Sequence, residues 1–244
     1  MQTNTLNLLI MKKEIIVISL GGSLIVPKGG IDWRFLKKFR QLILKQIKKG
    51  QRFVLITGGG TTCREYQQAA MKVTRLTRDD RDWLGVHATR LNAHLIKTIF
   101  RKVAHPRINK NPRTKADIRK HFAQGEGLMV AAGWRPGWST DYVATILAER
   151  LGAKTVINLS NVKYVYTKDP RKYKDAEAVK AVTWTDFLKI IGRKWDPGAN
   201  LVFDPVASLH ARKQGLKVVI ADGKNIANLN KILNSQKFVG TVIE

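Results

Sequence analysis

Six stretches of almost unbroken Val, Ile and Leu, at residues 14–20, 52–57, 128–132, 154–159, 217–221 and 240–243, constrain the fold most tightly. A strand with one wet face alternates apolar and polar side chains. These stretches do not alternate, so both of their faces are expected to be covered. Between them the apolar residues recur at helical spacing. Phe35, Phe39, Leu42, Ile43 and Ile47 form one stripe, ended by Gly50. Leu84, His87, Leu91, Leu95 and Ile99 form another and predict a helix over 82–102, while residues 142–151 read as an amphipathic helix. Strands alternating with helices specify an α/β fold, a three-layer α/β/α sandwich with a mainly parallel central sheet.

The chain has 244 residues, enough for one large domain or two small lobes. Its single cysteine, Cys63, excludes a disulfide framework and fits a reducing, cytoplasmic compartment. No apolar run approaches the roughly 20 residues needed to cross a bilayer. The N-terminus lacks the positive charge that precedes the apolar part of a signal peptide. Met11 makes a natural start, so residues 1–10 read as a disordered extension.

Lys and Arg number 44 against 18 Asp and Glu, a formal charge of +26. Such a surface draws in anions and would bind nucleic acid weakly and without specificity. The densest part, residues 101–121, carries Arg101, Lys102, Arg107, Lys110, Arg113, Lys115, Arg119 and Lys120 against a lone Asp117. It has no interleaved aromatics for base stacking, and reads first as a solvated basic loop and helix face.

Three glycine turns carry the chemistry. Ser19-Leu20-Gly21-Gly22-Ser23 follows the first strand. Thr57-Gly58-Gly59-Gly60 follows the second and leads into a helix with Arg64 in its first turn. Gly133-Trp134-Arg135-Pro136-Gly137-Trp138-Ser139-Thr140-Asp141 joins the third strand to the next helix. Amides at a helix start lack intrahelical acceptors, and the helix dipole adds positive potential, so each turn suits an anion. Any one of them alone could be only a tight turn. Three at strand ends point to phosphate, because ligands of open α/β sheets gather at the carboxyl ends of strands. Two common nucleotide motifs are excluded: there is no G-x-x-x-x-G-K-[ST], and Cys63 stands where a dinucleotide fingerprint needs its third glycine.

Together with Asp82-Trp83-Leu84-Gly85, Thr89-Arg90-Leu91-Asn92-Ala93, Asn161-Val162, Val165-Tyr166-Thr167-Lys168-Asp169-Pro170, Asp204-Pro205 and Gly240-Thr241-Val242-Ile243-Glu244, these turns resemble the amino acid kinase superfamily. Within it they are most similar to the archaeal-type uridylate (UMP) kinases. The resemblance implies transfer of the ATP γ-phosphate to UMP, giving UDP and ADP in pyrimidine nucleotide biosynthesis, with Mg²⁺ carried in by ATP. It implies a kinase domain over 11–244, with an acceptor-binding part at 11–125 and an ATP-binding part at 126–244, assembled as a hexamer from three dimers. Other readings are a kinase of the same fold acting on another small phosphate or carboxylate, or an impaired homologue that binds nucleotide or nucleic acid.

Carried over by position, the resemblance gives Gly22, Arg64 and Asp204 catalytic or organising roles. ATP would be held by Ser19, Leu20, Gly21, Gly22, Ser23, Gly60, Arg64, Ser160, Asn161, Tyr166 and Asp169. UMP would meet Gly59, Asp82, Gly133, Trp134, Arg135, Pro136, Gly137, Trp138 and Ser139, with Asp82 at the ribose. No resident metal ligands are implied. Read from the residues alone, Asp82 would rather cap its helix, Asp204-Pro205 would be a helix start, and Trp134 and Trp138 could be packing residues. Two departures stand out: Ser19 replaces a lysine that many relatives carry, and Lys163-Tyr164 replaces an Asp-Gly pair. Lys28 and Lys163 are candidate substitutes for the missing cation, and Tyr164 cannot take a positive φ as cheaply as glycine, so its loop must be rearranged.

Overall fold

The structure is a computed structural model that describes residues 15–113, 122, 125–170, 172–192 and 202–244. The expected extension at 1–10 lies outside the described residues. So do Lys115, Asp117, Arg119 and Lys120 of the basic segment.

All six apolar runs form strands: β1 (Ile15–Leu20), β2 (Arg52–Thr57), β3 (Leu128–Ala131), β4 (Thr155–Ser160), β8 (Lys217–Asp222) and β9 (Thr241–Ile243). Three two-residue strands without a readable pattern, β5 (Val165–Tyr166), β6 (Ala178–Val179) and β7 (Ala181–Val182), complete the set. The main sheet has the order β3-β2-β1-β4-β8-β9-β7. Its pairings are parallel from β3 to β8, and only β8 with β9 is antiparallel.

Eight helices are seen among the described residues: α1 (Gly22–Ile25), α2 (Trp33–Lys48), α3 (Gly60–Val73), α4 (Arg78–Ile99), α5 (Thr140–Leu151), α6 (Trp184–Ile191), α7 (Pro205–Lys213) and α8 (Ile226–Leu233). Side chains alternate along each strand, so a covered sheet feeds two cores. Ile18, Leu20, Phe53, Leu55 and Ile157 join α2, α4 and α8 on one face. Val17, Val54, Ile56, Met129 and Val156 join α5, α6 and α7 on the other. This is the expected three-layer α/β/α sandwich. The chain steps outward from β1 to β2 to β3, then returns to lay β4 on the other side of β1. That reversal opens a crevice at the carboxyl ends of β1 and β4, where open α/β sheets take their ligands.

Helix α4 departs from the sequence expectation. It starts at Arg78, four residues early, because Thr77 accepts from the Asp80 amide while the Asp80 carboxylate accepts from the Thr77 amide, a reciprocal capping box. Its buried face is Val86, Ala88, Thr89, Asn92, Ala93 and Ile96, whereas His87 and Leu91 are exposed. Small residues let α4 approach the sheet closely, so the larger side chains of the expected stripe fall at its margin or outside.

Candidate functional site

The first two glycine turns touch backbone to backbone at the ends of β1 and β2. A methyl group on Gly22 would sit 2.6 Å from the Gly58 carbonyl carbon and 2.7 Å from the Gly59 nitrogen. One on Gly58 would meet the Gly22 nitrogen at 2.5 Å. No side chain fits at either place, and Gly60 takes φ 67°, which favours glycine. Gly21 donates its amide to Leu159 O (2.8 Å) and Gly58 to Leu20 O (2.9 Å), so the turns extend the sheet. The helix starts at Gly22 and Gly60 leave their leading amides without intrahelical acceptors. Leu20 is buried beneath this junction, Ser23 lies in α1, and exposed Arg64 donates to Thr61 Oγ1 (2.9 Å) one turn earlier in α3.

Helix α4 ties the second turn to the third. Asn92 Nδ2 donates to Gly58 O (2.8 Å) and Gly59 O (3.2 Å). Thr57 Oγ1 donates to Thr89 O (2.9 Å), and Gly133 N donates to Thr89 Oγ1 (2.9 Å). Arg90 holds the carbonyls of Gly133 and Trp134 (3.3 and 2.7 Å). Asp82 lies inside the helix, not at its cap, and its Oδ2 accepts from the Gly137 amide at 2.8 Å. The expectation of free amides along the third turn is thus corrected in part, since Gly133 and Gly137 are engaged by the protein. The cap of α5 is Ser139, which accepts from Tyr142 N (3.0 Å). Trp134 and Trp138 meet edge to face at 4.6 Å, and the Arg135 guanidinium lies 4.4 Å from the Trp134 ring, next to half-buried Pro136.

A buried polar cluster closes the crevice below. Ser19 Oγ donates to Asp141 Oδ1 (2.9 Å), as does Asn158 Nδ2 (3.3 Å). Burial pushes the Asp141 carboxyl up to about 7; the neighbouring Asp204 charge adds to this, and hydrogen bonds from Ser19 and the Asp204 amide oppose it. Asp204 caps α7, its carboxylate accepting from the amides of Val206 and Ala207. The resemblance gives Asp204 an organising role; Asp141, the last residue of the third glycine turn, carries none there, yet it bonds Ser19 directly. Thr89 and Asn92 were also given no role; polar residues three apart on an otherwise inward helix face were the available signal.

Beyond the crevice lies a cavity of about 730 Å³, lined by residues 160–170 with Ile190, Ile191 and Val202. It gathers Ser160, Asn161, Tyr166 and Asp169, as well as Lys163 and Tyr164. Tyr164 packs edge-on to Tyr166 at 6.4 Å. Among the described residues only Ser235 is a non-glycine with positive φ, so Tyr164 sits in ordinary backbone. Ser160 joins this cavity to the first glycine turn, its Cα 3.5 Å from where a methyl group on Gly21 would sit.

The amino acid kinase family model matches residues 14–222. The chain belongs to the amino acid kinase family. Among curated members, the uridylate kinase of Methanoculleus marisnigri is 36% identical over 96% of both chains. That of Pyrococcus abyssi is 32% identical over 94% of this chain and 99% of its own. Among solved members of the amino acid kinase family, the uridylate kinase of Archaeoglobus fulgidus superposes with a TM-score of 0.78 at 26% identity, covering 94% of this chain and 99% of that one.

Proposed function

We propose that this chain is a nucleoside monophosphate kinase that transfers the γ-phosphoryl group of ATP to UMP. The observation that carries the reading is the backbone junction of Gly22 with Gly58, Gly59 and Gly60, in a chain resembling uridylate kinases over nearly its whole length. An ionised UMP phosphate oxygen attacks the γ-phosphorus, the bond to the bridging oxygen of ATP breaks, and UDP and ADP leave. The nucleophile is already ionised, so no general base is needed, and catalysis rests on positioning and charge stabilisation.

The roles follow from position. Gly22, Ser23 and Gly60 offer amides to the ATP phosphates, Gly21 anchors that turn to β4 through its own amide, and Arg64 reaches over the same place from α3. Gly59 receives the UMP phosphate, Asp82 the ribose, and the 133–139 loop wraps the rest. Ser160, Asn161, Tyr166 and Asp169 surround the adenosine. Asp204 is a positioning residue, holding Asp141 through its amide and so fixing Ser19. We assign residues 11–125 mainly to the acceptor and 126–244 mainly to ATP, with the phosphate-holding turns of the first part reaching ATP and the UMP loop crossing from the second part to the first. Mg²⁺ enters with ATP as part of the substrate. Asp141 and Asp204, below the junction, accept hydrogen bonds from protein donors.

Among the described residues no helix is long and apolar enough to cross a membrane, and we place the enzyme in the cytoplasm. We propose a hexamer of three dimers. Exposed Trp83 and Leu91 on α4, with Tyr66 on α3, offer an apolar contact between copies. A panel of UMP, CMP, dUMP and small acid acceptors, offered with ATP-Mg²⁺, tests the substrate. Expected is UDP formation above every other product; turnover of another acceptor with background UDP would refute the reading.

A further inference from the structure

One charged surface takes no part in nucleotide chemistry. Residues 101–113 run along the outer edge of the sheet beside β3, with parallel bridges from Ala104 to Leu128 and from Asn109 to Ala131. His105 N donates to Leu128 O (2.8 Å), and Asn109 N donates to Val130 O (2.9 Å). Ala104 and Asn109 are buried against the sheet, while Arg101, Lys102, Arg107, Lys110 and Arg113 are exposed. Two short turns then steer the chain: Asn109 Oδ1 accepts from Asn111 N (3.1 Å), and Asn111 Oδ1 accepts from Arg113 N (3.0 Å). Arg150 Nη1 donates to Arg113 O (2.7 Å) and fixes the end. The Arg113 guanidinium thereby lies 4.8 Å from the Trp138 ring and 5.4 Å from the Trp134 ring. The basic segment carries no aromatics of its own, and the fold sets two half-buried indoles at its end, Trp138 stacked through one face on Tyr142 (4.5 Å) and Trp134 meeting Trp138 edge to face.

We propose that this edge binds single-stranded nucleic acid, with phosphates along Arg101, Lys102, Arg107 and Lys110 and an unpaired base at the Trp134–Trp138 end. Among the described residues no carboxylate lies within ion-pair distance of these four cations or of Arg113. Among the described residues their charge is therefore not neutralised by an ion pair. Exposed cations spaced along a turn-and-bend segment that is pinned to β3 at Ala104 and Asn109 can follow a phosphate chain, and aromatic rings with guanidinium groups accept bases of any sequence. Duplex bases are already stacked on one another, so the indoles select single strands. An acidic protein surface would use the cations but not the rings. The cations lie outside both proposed nucleotide sites, while Trp134 and Trp138 also belong to the proposed UMP loop, so it is the cation track that is tested apart from the kinase reading.

Fluorescence anisotropy of a labelled oligo(dT), across a range of salt concentrations, tests the proposal. Expected is tighter binding than to a duplex or to polyglutamate. Arg107→Glu with Lys110→Glu should weaken binding about 10-fold and make the slope of log K against log salt shallower by about 1.4. Lys37→Glu with Lys38→Glu on α2 carries the same change in net charge at two other exposed positions, and should alter binding less than about 2-fold. Trp138→Leu should weaken binding with the slope unchanged, because it removes a ring and no charge. UDP formation by the Arg107/Lys110 variant should equal that of the parent, so the edge and the kinase are judged by separate assays. Equal losses in both charge-reversed variants, or a duplex or polyglutamate bound as well as oligo(dT), would overturn the proposal.

Discussion

The two ends of the proposed ATP site are built in opposite ways. At the phosphate end, the first two glycine turns pack main chain against main chain, with no room for a methyl group on Gly22 or Gly58. At the adenosine end, the loop at 160–170 encloses a cavity of about 730 Å³ and carries exposed side chains. Backbone amides can be brought to a phosphate only if nothing projects between them, so the first end tolerates almost no substitution. A flat base is held by shape and scattered contacts, so the second end has accepted Lys163-Tyr164. Position-critical chemistry sits where the main chain does the binding.

The largest expected break is Gly22→Ala. The added methyl must push the Gly58–Gly60 backbone away, which should lower kcat/KM at least about 1,000-fold and cost a few kcal/mol of stability. Steady-state kinetics and a denaturant curve measure both; near-parental activity would show that the junction does not bind phosphate. Asp82→Asn should come next. It weakens the tie to Gly137 and removes the charge of the proposed ribose contact, so the KM for UMP should rise about tenfold while the KM for ATP stays close to the parent value. Equal effects on both would remove Asp82 from the acceptor side.

The third expectation concerns pH. Folding raises the Asp141 carboxyl to about 7, above the roughly 3.9 of an unfolded chain. The native state keeps this proton where the unfolded chain has released it, so its contribution to stability is lost as pH rises from about 4 to 7. Asp141→Asn, a neutral group of the same shape, should flatten the profile of Tm against pH in that window. An unchanged slope would mean that Asp141 is ionised throughout. The smallest effect belongs to the adenosine end: Tyr164→Gly should change the KM for ATP by less than about 3-fold. A loss as deep as that from Gly22→Ala would erase the contrast between the two ends.

Much of this was legible in the sequence for a physical reason. Strands buried on both faces leave continuous apolar runs, and all six appeared where those runs lie. Two-residue strands such as β5 and β6 leave no period to detect, and the antiparallel pairing of β9 depends on neighbours that the sequence does not name. The start of α4 is legible in Thr77-Arg78-Asp79-Asp80, a capping-box pattern, but Asp82 is an equally good cap residue by type and lies closer to the apolar stripe. At the site, glycines announced where amides are exposed. They could not announce which amides the protein uses itself, as Asp82 does with Gly137. Nor could Asp141 be separated from an ordinary helix start until Ser19 and Asn158 were found against it.

The central claim is that main-chain amides at the β1 and β2 ends hold two phosphorylated nucleotides facing each other. A crystal structure with UMP and a non-hydrolysable ATP analogue tests it most directly. The account predicts the terminal phosphate of the analogue and the UMP phosphate within about 3.2 Å of amides from Gly22, Gly59 or Gly60, with the base of the analogue beside Tyr166. Either phosphate bound away from that junction, or both nucleotides on one side of it, would contradict the account.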